Sequence, residues 1–283
     1  MVINHKKYIN LQAIKKRRVM LKKVNSQYRS LYGLIGYPLG HSFSQDFFNR
    51  KFESENISAR YINFEISEIG QLSKVLSENY NLVGFNVTIP YKEQVIGYLD
   101  ALDPIAAEIG AVNVVKVSRL GAGKVHLKGY NSDVIGFRDS LAQSIDVSKQ
   151  SRALVLGTGG ASKAVVAALR QLGVASTLVS RSERPGVITY KDLTPELISD
   201  NKIIVNTTPL GMYPHVDECP DIPYEALTEQ HLCYDLLYNP DVTLFMQRAA
   251  AHGAQVKNGL EMLLLQAFAA WNIWQKRVDI PQQ

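Results

Sequence analysis

Residues 153–161 have the sequence Ala-Leu-Val-Leu-Gly-Thr-Gly-Gly-Ala, an apolar strand that runs directly into a glycine-rich turn. The segment that follows, Lys163 to Leu172, has the apolar spacing of a helix. In a strand, glycine turn and helix of this kind, backbone amides at the helix N-terminus can approach a pyrophosphate. The third position of the usual glycine pattern holds Ser162, a small residue that still permits close packing. The stretch predicts a Rossmann-like dinucleotide-binding unit, and a turn without a ligand is the alternative.

The next strand, Ser176 to Val179, indicates which dinucleotide to expect. It ends in Ser180-Arg181-Ser182, where a site for NAD normally carries an acid that binds the ribose 2′-hydroxyl. A guanidinium instead makes charge-assisted contacts to a 2′-phosphate. Arg181, assisted by Arg184, therefore favours NADP. Glu183 could turn towards the ribose and leaves NAD open.

Strand-like and helix-like segments alternate from residue 31 onward and predict an α/β fold with two domains. The expected parts are a basic, disordered extension at 1–30, an α/β substrate-binding catalytic domain at 31–132, a doubly wound, Rossmann-like NADP-binding domain at 133–257 and a C-terminal helix at 258–283 that returns to the first domain. The interval between Ser180 and Asn206 is short for such a domain. A helix on that side of the cofactor is expected to be shortened or lost.

Charge and composition narrow the class of protein. Residues 1–30 contain nine Lys and Arg and no acid, which leaves 22 basic and 26 acidic residues in the rest of the chain. Because the rest of the chain is mildly acidic, it gives no reason to expect a nucleic-acid partner. The basic extension is then either dispensable, or a targeting segment, or a segment that contacts nucleic acid by itself. No apolar run is long enough to span a bilayer, and no secretory segment is recognisable. The chain has only two cysteines, Cys219 and Cys233, which fits a reducing compartment, so we expect a cytoplasmic protein. We expect no membrane partner, and either a monomer or a homodimer.

The segment Gly84-Phe-Asn-Val-Thr-Ile-Pro-Tyr-Lys-Glu93 is an apolar strand that stops on a proline. Because strand faces alternate, Asn86 and Thr88 are expected on one surface and Ile89 on the core side. The proline leaves Lys92 at the strand's mouth, where α/β folds place their ligands. Lys92 is the best candidate for a catalytic acid or base, and a lone solvated lysine is the ordinary alternative.

Residues 33–44 form a strand, a Pro/Gly turn and a helix start at which Ser42 and Ser44 lie two residues apart. Hydroxyls and free amides at a helix N-terminus suit a carboxylate ligand. A plain helix cap is the alternative for either serine. The segment predicts an anion site.

These motifs, in this order, closely resemble the shikimate dehydrogenase family from about Leu31 to Trp274. The segments 109–113, 129–133, 205–212, 234–240 and 258–266 carry the rest of the resemblance. The resemblance implies reversible NADPH-dependent reduction of 3-dehydroshikimate to shikimate, a step towards chorismate and the aromatic amino acids. It implies no metal.

The resemblance also implies roles for the matching residues. Lys92 and Asp133 would be the catalytic pair, because hydride addition to a ketone leaves an alkoxide that an ammonium can protonate. An N-cap of the next helix is the alternative for Asp133. Substrate contacts would come from Ser42, Ser44, Asn86, Thr88, Asn113, Asp133, Tyr238 and Gln266. Cofactor contacts would come from Gly157, Gly159, Gly160, Ala161, Ser180, Arg181, Ser182, Thr208, Leu236 and Gly259.

Three substitutions depart from the family pattern. Gln45 stands for a proline, Ser180 for an asparagine, and Pro185 for a second phosphate-binding arginine. They concern the cofactor more than the class of substrate. Two other functions remain open, an NAD-dependent quinate/shikimate dehydrogenase and a catalytically silent relative that binds a metabolite of the pathway as a regulator.

Overall fold

The structure is a computed structural model that describes residues 27–40, 42–120, 123–146 and 152–276. The described chain divides into two compact units. The first contains the residues up to Asp103 together with Val112–Tyr130, and the second contains Pro104–Ala111 and Asn131–Gln275. Residues 1–26 of the basic extension lie outside the described residues.

The first unit is built on a mixed sheet of six strands. Its elements are β1 (Ser30–Gly36), α1 (Phe43–Ser54), β2 (Ala59–Glu65), α2 (Leu72–Glu78), β3 (Leu82–Val87), β4 (Ala101–Leu102), β5 (Val114–Arg119) and β6 (Val125–Tyr130). The strand order is β2-β1-β3-β5-β6-β4. Strand β1 is parallel to β2 and β3, whereas β5 is antiparallel to β3 and β6. The carboxyl ends of β1, β2 and β3 therefore share one edge of the sheet.

Helix α1 covers the sheet through its aromatic residues. Phe48 and Phe52 are its buried residues, and the Phe48 ring stacks on Tyr61 of β2 with 4.9 Å between centroids. The Asn49 side chain bonds both the amide and the carbonyl of Tyr61 at 2.9 Å. These contacts fix the helix against β2, and with it the serines at the helix start.

The second unit is a doubly wound parallel sheet. Its elements are α3 (Pro104–Ile109), α4 (Asp133–Ser144), β7 (Arg152–Leu156), α5 (Gly160–Gln171), β8 (Ala175–Ser180), β9 (Val187–Thr189), α6 (Pro195–Asp200), β10 (Ile203–Asn206), β11 (Leu232–Asp235), α7 (Leu244–Ala251), β12 (Gln255–Lys257) and α8 (Leu260–Gln275). The order β12-β11-β10-β7-β8-β9 reverses direction between β7 and β10. This is the Rossmann arrangement, in which ligands bind at the carboxyl ends of the strands near the reversal.

Alternate residues of the central strands face two separate cores. Ala153 and Val155 of β7 pack with α4, α5 and α8, whereas Leu154 and Leu156 pack with α6 and α7. Burial on both faces explains why this strand is continuously apolar. The sheet thus forms the middle of three layers.

Two segments are grouped differently in these units from the grouping expected. Pro104–Ala111 belongs to the second unit, where Ile109 and Ala111 join the core formed with α4 and α5. Helix α8 also belongs to the second unit and packs along α4, so its return to the first domain stays a prediction. Residues 181–186, all of them described, connect β8 to β9 without a helix, as the short interval indicated. None of the described helices has both the length and the apolar character required to cross a membrane.

Candidate active site

The turn after β7 requires glycine at its first position. Gly157 has φ of 111°, in the region that other residues rarely adopt, and its amide donates to the carbonyl of Val179 at 2.8 Å. A Cβ atom there would lie 2.6 Å from Oγ1 of Thr207. The glycine therefore lets the turn lie close to the end of β10, at the reversal of strand order.

A cavity of about 300 Å³ opens at these strand ends, within the second unit. Its lining consists of Gly157, Thr158, Gly159, Val179, Ser180, Arg181, Ser182, Arg184, Tyr190, Thr207, Thr208, Pro209 and Leu210. Six of the predicted cofactor residues are among them. The other four, Gly160, Ala161, Leu236 and Gly259, are not part of this lining. Gly160 and Ala161 begin α5, with Gly159 as its N-cap.

One side of the cavity is basic. Arg181 and Arg184 are both exposed, and Nη1 of Arg184 donates to Oγ1 of Thr158 at 3.4 Å. The amide of Ser182 donates to Oγ of the buried Ser180 at 3.3 Å. Two guanidinium groups and a glycine turn in one cavity fit the phosphates of a dinucleotide.

A buried network holds Thr208 in place. The amide and the hydroxyl of Thr208 donate to Oδ1 of Asn206 at 3.0 and 2.7 Å, and Nδ2 of Asn206 donates to Asp235 at 3.1 Å. Asp235 also accepts from the Thr243 hydroxyl and from the amide of Leu237. Burial raises the pKa of the Asp235 carboxyl, and these three hydrogen bonds oppose the shift. The ends of β10 and β11 are thereby fixed together.

Leu236 and Gly259 meet through their backbones. The amide of Gly259 donates to the carbonyl of Leu237 at 2.8 Å, and a Cβ on Gly259 would lie 2.0 Å from the carbonyl oxygen of Leu236. Only glycine fits this approach. The start of α8 is therefore tied to the end of β11.

In the first unit, a chain of hydrogen bonds connects three of the predicted substrate residues. Ser44 hydrogen-bonds to the Tyr61 hydroxyl, which donates to Oδ1 of Asn86 at 2.8 Å. Nδ2 of Asn86 donates to the carbonyl of Asn113 at 3.1 Å. Burial raises the pKa of Tyr61 well above its usual value, so the phenol stays protonated as the donor in this chain. The Tyr61 hydroxyl and the Asn113 carbonyl together fix the orientation of the Asn86 amide.

Ser42 is the N-cap of α1. Its hydroxyl oxygen accepts from the amide of Gln45 over a long 3.4 Å, and its carbonyl accepts from the same amide at 3.1 Å. The helix-cap interpretation of Ser42 is therefore correct as local structure. The hydroxyl proton is not used by this bond, because the oxygen is the acceptor.

Strand β3 ends two residues before the limit that the sequence suggested. Thr88 follows the last strand residue and its amide donates to the carbonyl of Ile35 at 2.9 Å. Ile89 is 74% exposed, so its predicted place in the core is wrong, because the backbone has already left the sheet. The carbonyl of half-buried Lys92 accepts from the amide of Val112 at 2.8 Å, which anchors the segment that carries the lysine.

Asp133 lies in the second unit as the first residue of α4, with 8% of its surface exposed. The capping acceptor is Oδ1 of Asn131, which receives the amides of Asp133 and Val134 at 3.0 and 3.4 Å. The N-cap interpretation of Asp133 is therefore wrong, because Asn131 supplies the cap.

Gln266 on α8 lies beside the start of α4. The Ser132 hydroxyl donates to Oε1 of Gln266 at 3.3 Å, and a Cβ on Gly136 would lie 2.9 Å from the Cβ of Gln266. The second unit thus brings Gln266 close to the residue before Asp133. Tyr238, which follows β11, is 42% exposed.

Sequence reasoning missed several residues of both sites. Tyr61 and Asn49 support the first, and Thr158, Tyr190 and Thr207 line the second. The only sequence signal for Tyr61 was its position in a strand of alternating polarity. Tyr190 had no indication, because its contact with the cavity depends on the missing helix between β8 and β9.

Comparison with known proteins gives consistent matches. Residues 34–115 match the family model of the shikimate dehydrogenase substrate binding domain. A shikimate dehydrogenase (NADP(+)) of Caldanaerobacter subterraneus subsp. tengcongensis is 37% identical, over 86% of this chain and 91% of its own. A protein of the same name from Methanococcus maripaludis is 35% identical, over 89% and 93%.

Solved structures give the same result. The crystal structure of shikimate dehydrogenase from Aquifex aeolicus matches with a TM-score of 0.77 and 35% identity, over 91% of this chain and 96% of that chain. The enzyme from Thermus thermophilus, in complex with NADP(H) and shikimate, matches with a TM-score of 0.76 and 30% identity, over 89% and 95%.

Proposed function

The chain belongs to the shikimate dehydrogenase family, and from this premise we propose that it catalyses the reversible, NADPH-dependent reduction of 3-dehydroshikimate to shikimate. The observation that carries the proposal is the cavity at the strand reversal of the second unit, with its glycine turn and its two arginines. The first unit supplies the hydroxyls and amides that a polyhydroxy acid requires. The reaction serves the biosynthesis of chorismate and the aromatic amino acids.

The proposed substrate contacts divide by chemistry. Ser42 and Ser44, at the start of α1, would hold the carboxylate, and the Ser44 proton would turn to it from the Tyr61 oxygen. The positive end of the helix dipole also favours an anion there. Amides, hydroxyls and a carboxylate that can bond ring hydroxyls complete the proposed set: Asn86, Thr88, Asn113, Asp133, Tyr238 and Gln266. The Tyr61 bond supports this assignment, since it orders the Asn86 amide before any substrate arrives.

The proposed cofactor contacts follow the cavity. When bound, NADPH supplies the hydride for the substrate carbonyl. The turn that contains Gly157, Gly159, Gly160 and Ala161 would hold the pyrophosphate, with the Gly157 amide already bonded to Val179 and the later amides turned to the ligand. Ser180, Arg181 and Ser182 would bind the adenosine phosphate. Thr208, Leu236 and Gly259 would lie near the nicotinamide, on the strand ends that Asp235 fixes.

Proton transfer is assigned to Lys92. As the carbonyl becomes an alkoxide, the Lys92 ammonium would donate its proton to that oxygen, and in the reverse direction the neutral amine would accept it. Asp133 would orient the ammonium and a neighbouring substrate hydroxyl. The observation that favours this role for Asp133 is that Asn131, and not Asp133, caps helix α4.

The test is reduction of NADP by shikimate, followed by absorbance, in the wild-type enzyme and in Lys92→Ala and Asp133→Asn. Loss of a general acid or base lowers kcat by roughly 10²- to 10⁴-fold. We expect such a loss in both variants, with shikimate binding largely kept in Lys92→Ala. Lys124→Ala, at a position outside both sites, is the matched lysine control.

Other outcomes assign other functions. Faster turnover with NAD or with quinate would make the chain an NAD-dependent quinate/shikimate dehydrogenase. Binding of shikimate without turnover in any combination of substrate and nicotinamide cofactor would make the chain a catalytically silent regulator. Unchanged kcat in Lys92→Ala would remove the lysine from the mechanism.

A further inference from the structure

One polar group on the cavity wall has no partner. Among the described residues, the Tyr190 hydroxyl is a buried side-chain oxygen without any hydrogen bond. Buried hydroxyls nearly always have a partner, and an unsatisfied one destabilises the folded state. Tyr190 follows β9 directly and lines the same cavity as Arg181 and Arg184. A donor without an acceptor in a cavity built for a ligand indicates that the ligand supplies the acceptor.

The surroundings of the hydroxyl define which acceptor it suits. The positive charge of Arg181 acts on the Tyr190 phenol, and Arg184 contributes a second guanidinium to the same cavity. Burial raises the pKa of Tyr190, so the phenol keeps its proton at neutral pH and acts as a donor. One neutral donor beside two cations is suited to an anion with several acceptor oxygens.

The chain reaches this geometry because a helix is absent. Residues 181–186 connect β8 to β9 directly, and β9 pairs in parallel with β8 at Ser180↔Thr189. Tyr190 is the next residue and so lies near the end of β8, where Arg181 begins the loop.

On the basis of the proposed NADP-dependent function, we propose that the Tyr190 hydroxyl donates a hydrogen bond to the 2′-phosphate of NADP. Tyr190 is then a specificity-determining residue that discriminates NADP from NAD. Arg181 and Arg184 are exposed and can shift to admit the phosphate to the hydroxyl.

The test separates the 2′-phosphate from the rest of the cofactor. Adenosine 2′,5′-bisphosphate and adenosine 5′-diphosphate are titrated by calorimetry into the wild-type protein, Tyr190→Phe and the control Tyr80→Phe, whose tyrosine is 66% exposed. In Tyr190→Phe, we expect the bisphosphate to bind roughly 10- to 100-fold more weakly, the loss typical of one hydrogen bond to a charged group. Binding of the diphosphate is expected to change less than twofold.

Thermal unfolding of the unliganded protein gives a second readout. Tyr190→Phe removes an unsatisfied hydroxyl, so its Tm is expected to equal or exceed that of the wild type. A merely structural role predicts a lower Tm and equal losses for both ligands, and that result overturns the proposal. So does unchanged binding of the bisphosphate. If the wild-type protein binds the bisphosphate and the diphosphate equally, both the NADP assignment and the role of Tyr190 are wrong. If the wild-type protein prefers the bisphosphate and Tyr190→Phe keeps that preference, only the role of Tyr190 is wrong and the NADP assignment stands.

Discussion

Tyr61→Phe is the substitution that tests how the first unit is ordered. The hydroxyl donates to Asn86 at 2.8 Å and hydrogen-bonds Ser44, whereas the ring stacks on Phe48 at 4.9 Å between centroids. Phenylalanine keeps the ring and its stacking partner. The change therefore removes hydrogen bonds without opening a cavity.

The size of the effect follows from the burial of Asn86. Only 6% of Asn86 is exposed, so water cannot replace the lost donor at its Oδ1 atom. A buried acceptor left without its partner costs about 1–3 kcal/mol of folding free energy. At a urea dependence of about 2 kcal/mol per molar, the unfolding midpoint should fall by roughly 0.5–1.5 M. With the Asn86 amide held only by its bond to the Asn113 carbonyl, the KM for shikimate should rise while the affinity for NADP stays unchanged.

The assay is urea unfolding of a double-mutant cycle with Asn86→Ala, together with shikimate kinetics and NADP titration. In the Asn86→Ala background, Tyr61→Phe should cost clearly less, because the acceptor is already gone and only the bond with Ser44 is left to lose. Equal losses with and without Asn86 would refute the coupling. Tyr80→Phe, at an exposed position, should leave both the midpoint and the KM unchanged.

Two further predictions concern the second unit. The fully buried His231 accepts the Thr228 amide at Nδ1 (2.9 Å) and contacts the Ile198 carbonyl through Nε2 (3.1 Å). Burial lowers its folded pKa below the unfolded value of about 6.5, so its stabilisation is complete above that pH and is lost as the pH falls, by up to about 1.4 kcal/mol per unit. Urea unfolding at several pH values should therefore show a shallower acid loss in His231→Gln, and an identical slope contradicts the assignment. Gly259→Ala places a Cβ 2.0 Å from the Leu236 carbonyl oxygen and should cost about 1–3 kcal/mol and weaken NADP binding, whereas Gly97→Ala, which has open space, should do neither by the same assays.

The periodicity of the chain predicts most elements of both units. The strand expected at 153–156 is β7, and the helix expected from Asp133 is α4, because apolar spacing depends on local backbone geometry. The same pattern overextends β3, since Ile89 is apolar and keeps the alternation although the backbone has already turned away. Periodicity records the type of a residue and not whether a sheet partner remains beside it.

The residues that line the cavity were predictable where they lie together in one short segment. The glycine turn at 157–159 and Arg181 are adjacent in sequence to the strands that position them. Tyr61 and Tyr190 act through contacts with residues distant in the chain, and nothing in the sequence separates them from the other tyrosines. The contact of Tyr61 depends on strand register. Asn63 of β2 and Asn86 of β3 both pair with Leu34 of β1, and Tyr61 lies two residues before Asn63 on β2, so it is a near neighbour of Asn86 across the sheet.

Gln45 shows how a departure from the family pattern can be compatible with the expected role. A proline at this position has no N–H and could not donate to Ser42. The glutamine amide does donate, so in this chain the Ser42 oxygen is held as the cap of α1. A hydroxyl can accept and donate at once, and accepting from Gln45 leaves its proton to turn away from the helix. Capping and the proposed carboxylate binding would therefore use different parts of one hydroxyl, and the two interpretations of Ser42 do not compete.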